Sequence, residues 1–320
     1  MNFYPLQFKP ILKNRIWGGT KLKTILNKPI DSNSVGESWE ISSVENEVSI
    51  VLNGAFSGIN LNDLILQYPN EILGVAVHQK FGFQFPLLFK YLDAKLDLSI
   101  QVHPNDQLAQ KRHATFGKTE MWYVLQADSD AELIVGFAND CSEQQYIDAV
   151  NNKSLMSLLA TQKVQQGDVF FLNTGTVHAI GAGTLIAEIQ QTSDITYRIF
   201  DFDRVDENGN KRELHTDLAL EAINYNKIET KINYSKKINF SNLIIDCPYF
   251  TTNLIPLQSE LQVLNTYKSF IVYMCVDGYV NLNVDDQLYS YNKGDTFLVP
   301  AIITNFTLTG CATILEIYIL

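Results

Sequence analysis

The chain is 320 residues long, 46% hydrophobic and 18% charged, which is the composition of a folded globular protein with one large or two modest domains. Its net charge of −11 argues against non-specific binding to nucleic acid or to an anionic membrane. No apolar run reaches membrane-spanning length, the start Met1-Asn2-Phe3-Tyr4-Pro5 lacks a signal-peptide pattern, and Cys141, Cys247, Cys275 and Cys311 form no CxxC pair, so reduced core thiols in a cytoplasmic protein are expected.

Short apolar runs separated by polar turns open the chain. Over 61–80, Leu61, Leu64, Ile65, Ile72, Leu73 and Val77 recur at spacings near three and four, predicting helix that Pro69 divides in two. From Phe85 to Val102 the density of Leu, Phe, Tyr and Ile predicts strand. Cys141 to Leu159 is a second helix candidate, with Tyr146, Ile147, Val150, Leu155 and Leu158 on one side. After Val164 the pattern is short strands between Gly, Asn and Asp, interrupted by a predicted short helix over 216–225 with Thr216 as its N-cap. From about residue 235 only strands are expected, the pattern of a sandwich or barrel.

The strand-rich halves echo one another. Gly167-Asp168-Val169-Phe170-Phe171-Leu172 resembles Gly294-Asp295-Thr296-Phe297-Leu298-Val299, each a Gly-Asp turn leading into an apolar strand. Carrying the offset of 127 forward puts His178 on Asn305, and 265–275 holds no acid to match Glu120. One β-sandwich unit used twice is expected, over 1–234 and 235–320, with chemistry kept only in the first.

That chemistry is a metal site. Gln101 and His103 are two residues apart, so on a strand their side chains leave the same face. Glu120 lies in an apolar, β-prone run, where a carboxylate is costly without a cation or donor beside it. His178 follows the strand-and-turn signal Val169–Gly175. One Gln, two His and one Glu suit a borderline divalent ion such as zinc. His78, His113 and His215 have no such company and read as surface or local hydrogen-bonding residues, with His113 nearest the metal motifs. Trp17 and Trp39 read as core aromatics, with lining of the pocket as the alternative.

Several motifs, in order, resemble the type I phosphomannose isomerases of the cupin superfamily. They are Arg15-Ile16-Trp17-Gly18-Gly19, Gly36-Glu37-Ser38-Trp39-Glu40, Leu98-Ser99-Ile100-Gln101-Val102-His103-Pro104 with Lys95 before it, Gly117-Lys118-Thr119-Glu120-Met121-Trp122, Gly175-Thr176-Val177-His178-Ala179-Ile180, Glu188, and Thr196-Tyr197-Arg198-Ile199-Phe200-Asp201. Only 58 positions separate Glu120 from His178, too few for the helical insertion of the longer members, so the chain looks like the short bacterial form.

The resemblance implies a mainly β fold of two cupin-type jelly-roll units with a few short helices. It implies a metal-dependent aldose–ketose isomerase interconverting mannose 6-phosphate and fructose 6-phosphate through an enediol(ate), with one Zn²⁺ on Gln101, His103, Glu120 and His178. Arg198, Lys118 and Glu188 are the candidate catalytic residues, the proton-abstracting group among them being open. Lys95, Ser99 and Lys118 are the candidate phosphate-binding residues, Lys95 alternatively reaching solvent. Glu188 or Asp201 would orient Arg198, although the run Asp201–Arg204 also reads as a solvated turn. A sugar phosphate is the expected partner, with no nucleic acid and no membrane, and oligomeric state is not set by these motifs. The competing readings are an iron-dependent cupin oxygenase and a sugar-binding cupin without catalysis.

Overall fold

Strands dominate because β-branched and aromatic residues recur between Gly-, Asn- and Asp-containing turns; the computed structural model describes residues 2–205 and 208–320. In the first unit, a seven-stranded sheet runs in the order Lys231–Ile232, Val169–Leu172, Glu120–Ala127, Thr184–Gln191, Leu87–Ala94, Val35–Ile41, Ile11–Gly19. A five-stranded sheet runs Leu159–Lys163, Glu132–Phe137, His178–Ile180, Ile100–Val102, Tyr197–Phe200. Trp122, Val124, Phe170 and Ile186 of the first sheet and Leu133, Val135 and Ile180 of the second form one buried cluster, so the two sheets make a sandwich.

The seven-stranded sheet is covered on its other face too. Phe89, Tyr91, Met121, Tyr123 and Ile189 pack with Leu61, Leu64 and Ile65 of the helical stretch and with Val272, Met274, Leu315 and Ile317 of the second unit. Two buried faces explain why its central strands read as unbroken apolar runs rather than alternating ones.

The second unit is one eight-stranded sheet. Its two 14-residue strands, Ile271–Val284 and Asn305–Tyr318, pair along their length with a bulge between Cys275 and Asp277. They curl around a core that includes Ile255, Tyr273, Leu282, Phe297, Phe306 and Ile314. The strand Leu6–Gln7 pairs with Phe297–Leu298, so the start of the chain joins the second unit's sheet across the expected boundary.

Helix expectations hold with adjustments. The 61–80 stretch forms Leu61–Gln67, Pro69–Ile72 and Val75–Phe81, with Pro69 opening the second piece. The Cys141–Leu159 candidate shortens to Glu143–Asn151, closed at its start by a Ser142–Gln145 capping box, followed by a 3₁₀ turn at Leu155–Leu158. Thr216 is not an N-cap. His215 precedes the helix Thr216–Ala222 and makes no side-chain cap, because its backbone N–H donates to Arg198 O at 2.7 Å and its Nδ1 accepts from Arg198 N–H at 3.1 Å. The cysteines are all unpaired, but only Cys275 is buried and Cys311 is exposed, so they are not all core thiols. No helix of the described residues is long and apolar enough to cross a membrane.

The internal echo is structural. Gly167 N–H donates to Val124 O, and Val124 N–H to Asp168 O; Gly294 and Asp295 make the same two bonds with Cys275. Asp168 Oδ2 accepts from Gln165 N–H as Asp295 Oδ2 does from Asn292 N–H. Leu172 faces Glu120 and Val299 faces Ile271, so an isoleucine stands in the second unit where the first has its acid. One neighbouring pair persists. Trp122 Nε1 donates to Glu188 across the first unit's strands, and Tyr273 Oη donates to Glu316 across the second's.

Candidate active site

Register brings the metal-type residues together. On the five-stranded sheet Gln101 lies opposite His178 on one side and Arg198 on the other, so the three side chains share a face. Gly175 N–H donates to His103 O at 3.0 Å, joining the two histidine motifs. Glu120 enters from the facing sheet. Lys118 is set by the loop before it: Gly117 N–H donates to Asp106 Oδ1 at 2.8 Å, and Thr119 N–H to Gln191 Oε1 at 2.9 Å.

His103, Glu120 and His178 are buried, and each turns a ligand atom to one point, all within 4.8 Å of one another. His103 Nδ1 donates to Ile195 O at 2.9 Å and His178 Nδ1 to Thr176 O at 2.8 Å, a pairing that makes Nε2 the lone-pair atom of each ring and so its ligand atom. His178 Nε2 lies 3.3 Å from Glu120 Oε1, His103 Nε2 lies 3.6 Å from Glu120 Oε2, and the Gln101 amide lies 3.3 Å from His178 Nε2. Tetrahedral bonds of about 2.1 Å put ligand atoms roughly 3.4 Å apart, so this ring fits a small divalent ion. Turning the Gln101 amide over, which exchanges its near-equivalent N and O, presents an oxygen to the same point.

Neither Glu120 oxygen makes a well-aligned hydrogen bond, although Lys118 Nζ sits 2.9 Å from Oε2 and 3.0 Å from His103 Nε2. The ammonium thus stands where the ring needs positive charge. Burial, helped by Lys118, drives the His103 imidazole well below its ordinary range and His178 to about 4, so both are neutral ligands at pH 7. Burial works to lower the Lys118 pKa, but Glu120 and Glu188 outweigh it and hold the ammonium above its usual value.

Beside the ring opens a cavity of about 480 Å³, within the range for small-molecule sites. Trp17, Leu92, Leu98 and Ile180 give it apolar walls. Five cations (Arg15, Lys90, Lys118, Arg198, Arg212) face three anions (Glu37, Glu188, Asp194), so the lining is positive in a protein of net charge −11. On the seven-stranded sheet Trp122, Glu188, Lys90 and Trp39 stand opposite one another on successive strands. Lys90 Nζ lies 3.1 Å from Glu188 Oε1, and Trp122 Nε1 donates to Oε2 at 3.0 Å. Burial opposes ionisation of Glu188, but Lys90 and Lys118 win and hold it at about 2. Arg15 Nε donates to Glu37 Oε1 at 2.6 Å. Arg198 differs: Nε donates to Ser99 Oγ at 3.3 Å and Nη1 to Glu213 O at 2.8 Å, and it makes no ion pair among the described residues.

Gln101, Ser99, Lys118, Glu188 and Arg198 therefore line one cavity, with His103, Glu120 and His178 at its metal-type ring. Lys95 does not join them. Its strand ends at Ala94, and the side chain is exposed. Lys90, mid-strand and buried, supplies the lysine instead. Glu188 pairs with Lys90 rather than orienting Arg198; Phe202 and Asp203 do form a turn, with Asp203 exposed, but Asp201 is buried on Arg204 and Arg212. Trp17 and Trp39 are both buried core aromatics; Trp17 also lines the cavity, and Trp39 donates to Glu37. His113 bonds Tyr197 Oη at 2.9 Å and is not on the cavity wall. Sequence reasoning missed Lys90, Asp194 and Arg212, and quoted Arg15 and Glu37 within motifs without giving them a role. A lone lysine inside the apolar run Leu87–Ala94 was a readable signal for the first.

Known proteins resemble this chain along nearly its whole length. The family model for the catalytic domain of type I phosphomannose isomerase matches residues 6–155, and that for the cupin domain of mannose-6-phosphate isomerase matches 239–319. Mannose-6-phosphate isomerase ManA of Bacillus subtilis is 37% identical over 316 residues, 98% of each chain. The mannose-6-phosphate isomerase of Streptococcus mutans is 34% identical, covering 96% of this chain and 95% of its own. The crystal structure of the mannose 6-phosphate isomerase from Bacillus subtilis superposes with a TM-score of 0.91 at 33% identity, covering 99% of this chain and all of that one.

Proposed function

Because the chain belongs to the type I phosphomannose isomerase family, we propose that it interconverts mannose 6-phosphate and fructose 6-phosphate through an enediol(ate), in the cytoplasm. The observation that carries this reading is a buried cluster of metal-type ligands that reaches a positively lined cavity through Gln101 and Lys118, in a strongly acidic protein. The substrate is an anion, and the local field gathers it against the global one.

Gln101, His103, Glu120 and His178 would hold Zn²⁺: imidazole, amide and carboxylate are donors suited to that ion, and a single anionic ligand leaves it a net charge near +1. When bound, the ion supplies Lewis acidity toward the carbonyl and hydroxyl oxygens of the sugar.

The remaining work falls to side chains. A proton leaves C2 of the aldose and one is delivered to C1, while O2 loses its hydroxyl proton and O1 gains one, so that the carbonyl moves from C1 to C2. Lys118, between the ring and the cavity and held as an ammonium, is placed to donate a proton to a sugar oxygen or to offset charge developing on it, which leaves the abstracting base unassigned. Glu188, its two oxygens held by Lys90 and Trp122, fixes an anion that keeps Lys118 charged. Arg198, always protonated and without a carboxylate of its own among the described residues, offsets negative charge as it develops. Ser99 accepts from Arg198 and steadies it.

The test is coupled detection of fructose 6-phosphate from mannose 6-phosphate. Wild type turns over, and Arg198→Ala keeps its metal while losing roughly 10²–10³-fold in kcat. A metal-loaded wild type that forms no fructose 6-phosphate would overturn the reading, and metal loss in Arg198→Ala would make Arg198 structural.

A further inference from the structure

Near the ligand ring the cations are matched one to one: Lys118 with Glu120, Lys90 with Glu188, Arg15 with Glu37. The arginine side of the cavity is different. Asp201, 5% exposed, accepts from Arg212 Nε at 2.7 Å and from Nη2 of both Arg212 and Arg204. Arg198 lies close enough for both charges to act on it, and it makes no ion pair among the described residues. Asp194 also lines the cavity, but its charge acts on Arg15 and Lys118. Glu213 also acts on Arg198, but its side chain is 84% exposed and screened by solvent, so three guanidiniums share one buried carboxylate. The surplus of two positive charges matches a phosphate monoester, which is close to dianionic at neutral pH.

Arg198 and Arg212 line the cavity; Arg204 does not, its Nη1 being turned to Asp97 O. Asp201 takes the Nε–Nη2 edge of Arg212, which fixes the plane of the fork and leaves its Nη1 donors for a ligand. We infer that Arg212 binds the phosphoryl group of the substrate, with Asp201 as its positioning residue. This assignment rests on the sugar-phosphate reading above. It also sets direction: the phosphorylated end lies toward Arg212, and the C1–C2 end toward Lys118 and the ring.

The probe is inorganic phosphate, titrated into the metal-loaded enzyme and scored as a competitive inhibitor of mannose 6-phosphate. Arg212→Ala should weaken phosphate binding and raise KM about tenfold or more, at wild-type metal content. Arg212→Lys, which keeps the charge but not the fork, should show a smaller loss and guards against a variant that fails to fold. Asp201→Asn should raise KM and weaken phosphate with a smaller change in kcat, a split that general unfolding would not give. Phosphate affinity within twofold of wild type in both folded Arg212 variants would overturn the assignment. A wild type that binds phosphate through Arg212 but does not turn over mannose 6-phosphate would sink the functional reading and leave this one standing.

Discussion

At the residue scale, buried charge survives at Glu37, Glu188 and Asp201 because each carboxylate holds more than one donor. Glu37 takes Arg15 on Oε1 and Trp39 Nε1 on Oε2, both at 2.6 Å. Burial acts to raise its pKa, but Lys90 and Arg15 overcome it and the carboxyl lies below its ordinary value. A group with a lowered folded-state pKa stabilises the fold above its unfolded pKa and loses that contribution as pH falls through the folded one. Wild type should therefore melt above Glu37→Gln near pH 7, and the gap should close below about pH 4.5. A gap constant from pH 7 to 3.5 would contradict this. The metal-type residues were legible in sequence because their identities and spacing carry the chemistry directly. The choice of lysine was not. Lys90 and Lys95 sit in one β-rich run, and only the end of the strand at Ala94 separates an inward from a solvent-facing side chain. Arg212 lay further out of reach, since its place follows from a side-chain pairing with Asp201, both residues lying on irregular backbone.

At the scale of elements, the Gly-Asp turn is the device both units share, yet the two glycines are under different constraints. Gly167 and Gly294 have φ of +86° and +94°. A Cβ on Gly294 would stand 2.5 Å from the backbone oxygen of Leu26, whereas on Gly167 the nearest atom is the flexible Lys236 Nζ at 3.2 Å. Gly167→Ala should cost about 1 kcal/mol from backbone conformation alone. Gly294→Ala should cost at least about 2 kcal/mol more, because backbone must move. Denaturant midpoints measure both, and equal losses would refute the distinction. The turn and its repeat were readable as a motif. The helix Asp106–His113 was not, because it buries only Leu108 and Ala109 and so shows no apolar stripe, although its Asn105 cap is well made. The fate of the second unit's site was half readable: the missing acid at Ile271 shows in sequence, while the retained Tyr273–Glu316 pair needed the register.

At the scale of the molecule, the two units are not independent. Leu6–Gln7 completes the second unit's sheet, one buried cluster runs from Tyr4 to Ile319, and Lys28 reaches across to Gly294 O at 2.7 Å while holding Glu40 at 2.6 Å. Calorimetry should show a single unfolding transition; two resolved transitions would contradict a shared core. The second unit thus supports the outer face of the sheet whose inner face carries Glu120, Glu188 and Lys90. The central claim is that the ring of Gln101, His103, Glu120 and His178 holds a divalent ion on which isomerisation depends. Its most direct test is turnover of mannose 6-phosphate before chelation, after verified metal removal, and after zinc is restored. The account predicts activity that disappears with the metal and returns with it, and none in His178→Ala under any of the three conditions. Full activity after verified metal removal would contradict it.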